Sequence, residues 1–233
     1  MVSSSKLMSE SPVLRRVRSF VLRQGRMTFG QQRALSELLP RYGVPGGPID
    51  FTTLFGREAK RTLEIGFGDG DNLAELARRY PERDFLGAEV HRPGVGRLLL
   101  TLEADGLKNV RVLDDDVIPA LTERIPDTSL DAILIYFPDP WPKKRHHKRR
   151  LVQPESAQLF ARKLKPGGML HLATDWQDYA RHALEVLTAC PALHNSAAGE
   201  GFVTRPQERP ETKFERRGLK LGHAVFDLVF IKR

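Results

Sequence analysis

The sequence contains one cysteine, Cys190, in 233 residues. A lone thiol excludes an intramolecular disulfide and a cysteine-ligated zinc site, and it points to a reducing compartment. Cys190 precedes Pro191 after an apolar helical stretch, which marks it as core filler. Long apolar runs are also missing. No stretch approaches the ~20 apolar residues of a membrane span. The opening MVSSSKLMSESP lacks the apolar run of a signal peptide. The expectation is a soluble, cytoplasmic protein with no membrane partner. Acids are scarce at the start of the chain, where residues 1–30 hold only Glu10 against Arg15, Arg16, Arg18, Arg23 and Arg26. A segment so polar buries little, so residues 1–30 are expected to form a basic, flexible arm, and residues 31–233 a single domain.

What is present is positive charge and enough apolar content for a core. The net charge is +8 and 40% of residues are hydrophobic, which excludes wholesale disorder. A basic balance of this size suits a polyanionic partner, either nucleic acid or an acidic membrane surface.

From Arg61 onward the hydrophobic period alternates between two and 3.6 residues. TLEIGF, DFLGAEV, NVRVL, DAILIYF and GGMLHLAT read as strands. NLAELARRY, GVGRLLLTLEADG, VIPALTERI, PESAQLFARKL and DYARHALEVLTA read as the helices between and after them. Five such alternations with short Gly, Pro and Asp punctuation predict a doubly wound α/β fold with a mostly parallel sheet. HAVFDLVFIKR reads as a last strand whose direction the sequence leaves open, and GVPGGPID reads as a loop.

LEIGFGDGDN joins the first strand to the first helix of this pattern, where doubly wound folds bind ligands. Gly66, Gly68 and Gly70 permit a tight turn and a close ligand, but a dinucleotide fingerprint would place glycine where Asp71 stands. Glu64 and Glu89 lie near the ends of the first two strands, and Asp114, Asp115 and Asp116 follow the third. Glu89 falls about 20 residues past the glycines, where an acid can accept both ribose hydroxyls. Asp69 and Asp71 beside a pyrophosphate would repel it. A cofactor carrying positive charge and ribose hydroxyls fits better, which is the character of S-adenosylmethionine. Acids that merely cap helix N-termini are the plainer alternative, and Asp71 suits that role.

FPDPWPKKRHHKRRL follows the fourth strand. Pro138 and Pro140 restrict the backbone on both sides of Asp139, so its carboxylate loses little entropy on engaging a substrate. Trp141 offers a stacking face to a base. Lys143, Lys144, Arg145, Lys148, Arg149 and Arg150 then form a cationic block suited to phosphates. His146 and His147 are adjacent and diverge on any regular element, so they are read as polar RNA contacts, and no metal is expected.

These segments together carry a family resemblance. LEIGFGDG, GAEVHRPGVG, FPDPWPKKRHHKRRLVQP, LHLATDWQDYA and RPETKFERRGLKLGH resemble the bacterial tRNA (guanine-N7-)-methyltransferases, from GQQRAL to the C-terminus. The resemblance implies an S-adenosylmethionine-dependent methyltransferase fold of Rossmann-like type. It implies methyl transfer to N7 of a guanine in the variable loop of tRNA. It implies cofactor contacts from Glu64, Glu89, Asp116 and Asp139, with Gly66 and Gly68 in the loop, and Asp139 also at the catalytic centre. It implies substrate contacts from Lys143, Asp175, Thr212, Lys213, Phe214 and Glu215. As residues alone, Asp175 is an equally good N-cap for the helix that follows, and TKFE is an ordinary charged turn. Two rivals remain: an enzyme methylating an exocyclic amine, which would need a proton removed, and a non-catalytic RNA-binding protein, against which the intact glycine loop and its acids argue.

Overall fold

The computed structural model describes residues 18–20, 25–199, 201–212, 215–216, 222 and 224–233. The expected strands are present as β1 (Lys60–Ile65), β2 (Arg83–Ala88), β3 (Val110–Leu113), β4 (Leu130–Tyr136) and β5 (Leu164–Thr174). Two more complete the sheet, β6 (Leu193–Asn195) and β7 (Phe226–Lys232). The order is β3-β2-β1-β4-β5-β7-β6. The first five strands pair in parallel, whereas β7 runs antiparallel to both β5 and β6. The direction that HAVFDLVFIKR left open is therefore antiparallel. Strand β6 was not expected, because three residues carry no readable period.

The strands alternate faces. Ile133 and Ile135 of β4 enter one core with Leu170 and Leu172 of β5, while Leu134 and Tyr136 enter the other with Ala173. Helices α6 (Val117–Glu123), α7 (Pro154–Lys163) and α8 (Gln177–Thr188) cover the first face through Leu121, Phe160 and Tyr179. On the second face lie α1 (Phe29–Glu37), α4 (Asp71–Arg79) and α5 (Arg92–Ala104), through Leu35, Leu73 and Leu98. Two short helices, α2 (Leu39–Tyr42) and α3 (Phe51–Phe55), join α1 to β1. The segment read as a loop, GVPGGPID, ends in Asp50, whose side chain caps α3 by accepting from the Thr52 and Thr53 amides. Helix α4 shows why such segments become helical. Leu73, Ala74, Leu76 and Ala77 are buried at i, i+3, i+4 spacing, with Asp71 in the first turn and Arg78 and Arg79 in the last, matching the helix dipole.

Winding out from β1 through β2 to β3, then back across to β4, reverses the strand order between β1 and β4. The loops after these two strands leave in opposite directions, which opens a crevice at their carboxyl ends. Among the described residues, no helix is long and apolar enough to cross a membrane. Helix α1 begins at Phe29, and Thr28 closes a capping box with Gln31 there.

Candidate active site

Strand β1 ends at Ile65 and the chain reverses through the glycine loop before α4 begins at Asp71. Gly68 has φ 61°, a conformation that favours glycine. Its amide donates to Glu89 Oε2 at 2.8 Å. The other oxygen of Glu89 accepts from the amides of Val90 at 2.7 Å and His91 at 2.9 Å. One carboxylate thus ties the glycine loop to the end of β2. The first turn of α5 presses on the same loop, since a Cβ on Gly94 would stand 2.0 Å from the Gly68 carbonyl oxygen. That contact explains the glycine in HRPGVG. Glu64, only 3% exposed, accepts from Asn72 Nδ2 at 3.0 Å through Oε1. Its Oε2 is buried with no partner among the described residues, and so is Oδ1 of Asn72. Burial pushes the Glu64 carboxyl up to about 7, the Asn72 bond opposes the rise, and the charge of Glu89 adds to it.

A cavity of about 640 Å³ opens at this edge of the sheet, a size suited to a nucleoside-type ligand. It brings together all six residues expected at a cofactor: Glu64, Gly66, Gly68, Glu89, Asp116 and Asp139. Asp116 also caps α6, accepting from the Ile118 amide at 3.1 Å. A buried orphan carboxylate oxygen calls for a donor, preferably a cationic one. The amino group of S-adenosylmethionine would meet that demand, and three amides on Glu89 leave one lone-pair site, on Oε2, for a ribose hydroxyl. Arg97 bridges Asp69 and Asp71 at 3.6 and 3.4 Å, so part of the negative charge expected at the loop is offset.

The proline-aspartate turn is held under strain. Phe137 and Trp141, on either side of it, have φ 50° and 47°, costing on the order of 1–3 kcal/mol each for residues with a Cβ. Bonds from distant elements maintain the turn. The Phe137 amide donates to Ala173 O at 2.7 Å, and Arg150 Nε donates to Pro140 O at 3.0 Å. Asp139 lines the cavity, is exposed, and makes no hydrogen bond or ion pair among the described residues.

The basic block divides into two groups. Lys143, Lys144, Arg145 and Lys148 are exposed, the last three on a 3₁₀ helix spanning Lys144–Arg149. Arg150, expected among the phosphate contacts, is 3% exposed. Its guanidinium pairs with Asp178, lies 3.1 Å from His147 Nε2 and sits over the Tyr179 ring. It is a brace for the turn, with no face left for phosphate. Arg149 donates to the carbonyls of Arg18 and Phe20 at 3.2 and 3.1 Å and covers the Trp141 ring at 4.0 Å. Trp141 in turn donates its indole N–H to Ser19 O at 3.0 Å, and His146 meets it edge-on. The stacking face expected of Trp141 is therefore occupied. Residues 18–20 of the arm dock on the basic loop, with Ser19 and Phe20 at the cavity wall.

Glu215, expected at the substrate, is 4% exposed, and both its oxygens accept from Arg209 at 2.6 and 2.8 Å. Held in this way it anchors its segment, and its burial leaves little of either oxygen open to a base. Arg209 also pairs with Asp227 at 2.8 Å, Asp227 with His171 Nε2 at 2.7 Å, and His171 Nδ1 with the Tyr136 hydroxyl at 3.0 Å. This buried chain was missed in the sequence. Its only trace is a polar residue inside apolar strand runs, His171 in LHL and Asp227 in FDL. Thr212 does reach the cavity wall, and its Oγ1 accepts from the Glu215 amide at 3.1 Å. Asp175 follows β5 at the same edge but lies outside the cavity wall, and the helix N-cap beside it is Trp176. Lys213 and Phe214 lie outside the described residues.

Residues 58–228 match a family model described as "Putative methyltransferase". A tRNA (guanine-N(7)-)-methyltransferase of Pseudomonas putida (strain W619) is 57% identical over 220 residues, covering 94% of this chain and 92% of the relative. One from Alkalilimnicola ehrlichii is 58% identical over 223 residues, 94% of each. The chain belongs to the tRNA (guanine-N(7)-)-methyltransferase family. The solved 16S rRNA methyltransferase KamB shares its fold, with a TM-score of 0.59 at 17% identity over 81% of this chain and 96% of that one. Family and fold together imply S-adenosylmethionine as the methyl donor, in agreement with the orphan acceptor in the cavity.

Proposed function

We propose that this protein transfers the methyl group of S-adenosylmethionine to N7 of a guanine in the variable loop of tRNA, acting in the cytoplasm. The observation that carries the reading is the carboxylate of Asp139, which has no hydrogen bond or ion pair among the described residues and is held by a strained turn at the wall of a cavity where buried Glu64 keeps one oxygen without a donor among those residues. S-adenosylmethionine supplies a methyl group on a cationic sulfur. Guanine N7 has a lone pair and no proton to lose, so the protein has only to place and polarise the partners. Glu64 and Glu89 are suited to the amino group and the ribose, with Gly66, Gly68 and Asp116 shaping the pocket. Asp139 is the hydrogen-bond acceptor that orients the guanine or the methyl donor, and its prolines pre-organise it. Lys143, Lys144, Arg145 and Lys148 take phosphates, joined by the basic arm of residues 1–30. Thr212 at the cavity wall and Asp175 just after β5 are assigned to the substrate.

The test is incubation with methyl-labelled S-adenosylmethionine and unmodified tRNA, followed by chemical mapping. Label at an N7-methylguanosine of the variable loop is the expected result. Label on an exocyclic amine, or none, rejects the reading.

A further inference from the structure

We propose that Trp176 is a stacking platform for an unpaired RNA base next to the methylated guanine. The proposal rests on the reading that the substrate is tRNA. Trp176 is 40% exposed, one of two large apolar side chains left so among the described residues. No hydrogen bond, ring contact or cation contact of its indole is found among those residues.

Its place in the fold is well defined. Tyr136 of β4 pairs with Ala173 of β5, two parallel neighbours in the sheet. Asp139 stands three residues beyond Tyr136, and Trp176 three residues beyond Ala173. Adjacent strands lie about 4.8 Å apart, so both side chains leave the same edge of the sheet from neighbouring positions. The backbone at Trp176 is also fixed. Its amide donates to Thr174 Oγ1 at 3.2 Å, and its carbonyl accepts from Ala180 at 2.9 Å as the N-cap of α8. Two residues later, Asp178 pairs with Arg150 and lies 3.8 Å from His147, so the first turn of α8 is bonded to the basic loop.

An exposed indole on a fixed backbone, tied through Asp178 and Arg150 to the loop that carries the exposed cations Lys143, Lys144, Arg145 and Lys148, has the two parts of a single-strand nucleic-acid site. The cations supply attraction without sequence preference, and the ring supplies a face that any base can use. Trp141 cannot fill this role, because Arg149 lies against its ring and the Ser19 carbonyl takes its N–H.

The chain has only two tryptophans, which makes the test direct. Binding of unmodified tRNA is measured for wild type, Trp176→Phe and Trp176→Ala, with S-adenosylmethionine affinity alongside. Stacking predicts roughly tenfold weaker tRNA binding in Ala, most of the affinity retained in Phe, and unchanged cofactor affinity. Quenching of intrinsic fluorescence by tRNA should lose a component in Trp176→Phe. Ala binding tRNA within twofold of wild type overturns the proposal. So does equal loss in Phe and Ala, or a parallel loss of cofactor affinity, because either marks a packing role. Methylation of tRNA by the wild-type protein is assayed separately, so a failed stacking role is distinguished from a wrong substrate.

Discussion

Glu64 is a carboxyl whose protonation the fold itself controls. Its value in the folded protein, about 7, lies above the unfolded 4.5, so between those values the folded state binds more protons. Its contribution to stability is therefore greatest below about pH 4.5 and declines as pH rises to about 7, by roughly 3 kcal/mol in all. Urea melts should show this decline, and Glu64→Gln should flatten it. A cationic ligand at the orphan oxygen reverses the preference. S-adenosylmethionine should bind more tightly as pH rises through 7, releasing a proton that calorimetry in buffers of different ionisation enthalpy detects. Asp139 calls for a different test, because it has no hydrogen-bond or ion-pair partner among the described residues. If it acts as an acceptor, single-turnover methylation at saturating substrates falls further in Asp139→Ala than in Asp139→Asn, which keeps one oxygen in place. A general base would fall equally in both. Glu64, Glu89, Gly66 and Gly68 were legible because strand ends and glycine turns are local patterns, whereas the resemblance placed Asp116 and Asp139 beside them. Arg150 and Glu215 were not, because a cation or an acid looks alike in a sequence whether it meets water or a buried counterion.

The element that departs furthest from its sequence pattern is the basic loop. Six cations within eight residues read as one surface, yet the fold sets Lys143, Lys144, Arg145 and Lys148 apart from Arg149 and Arg150 by giving the last two carbonyls, a ring and a carboxylate to hold. The two groups should respond differently to mutation. Replacing the four exposed cations with alanine should weaken tRNA binding and reduce its log–log salt slope by about 0.7–0.9 per phosphate contact, with little change in melting. Arg150→Ala should cost about 2 kcal/mol in urea unfolding, since charged hydrogen bonds to Asp178 and Pro140 are lost. The alternating strands and amphipathic helices were readable from their periods. The three-residue β6, the cap at Asp50 and the 3₁₀ turn of the basic loop were not, because each is decided by a few bonds and lacks a repeating face.

Across the whole molecule, the chain Tyr136–His171–Asp227–Arg209–Glu215 joins β4, β5 and β7 to the segment that carries Thr212. Arg209 is central, as it neutralises two buried acids. Arg209→Ala leaves Asp227 with His171 and Glu215 with the more distant Arg205 at 3.7 Å, and should cost about 3–5 kcal/mol. Arg209→Lys keeps the charge but not the paired geometry, so it should fall between Ala and wild type in thermal melts. The overall topology was legible up to β5, where alternation ends. The position of β7 was not, since nothing in its residues says which neighbours it takes.

That position has a consequence for how the protein is made. Strand β7 follows all the others in sequence but lies inside the sheet, between β5 and β6. While the chain emerges from the ribosome, β6 has no strand to pair with and β5 presents an open edge. Both must wait until residues 226–232 have left the exit tunnel, and the ion pairs of Arg209 with Asp227 wait with them. A chain stopped at residue 225 should therefore expose the β5 edge and sediment as aggregate, while the full-length protein expressed in parallel remains in the supernatant.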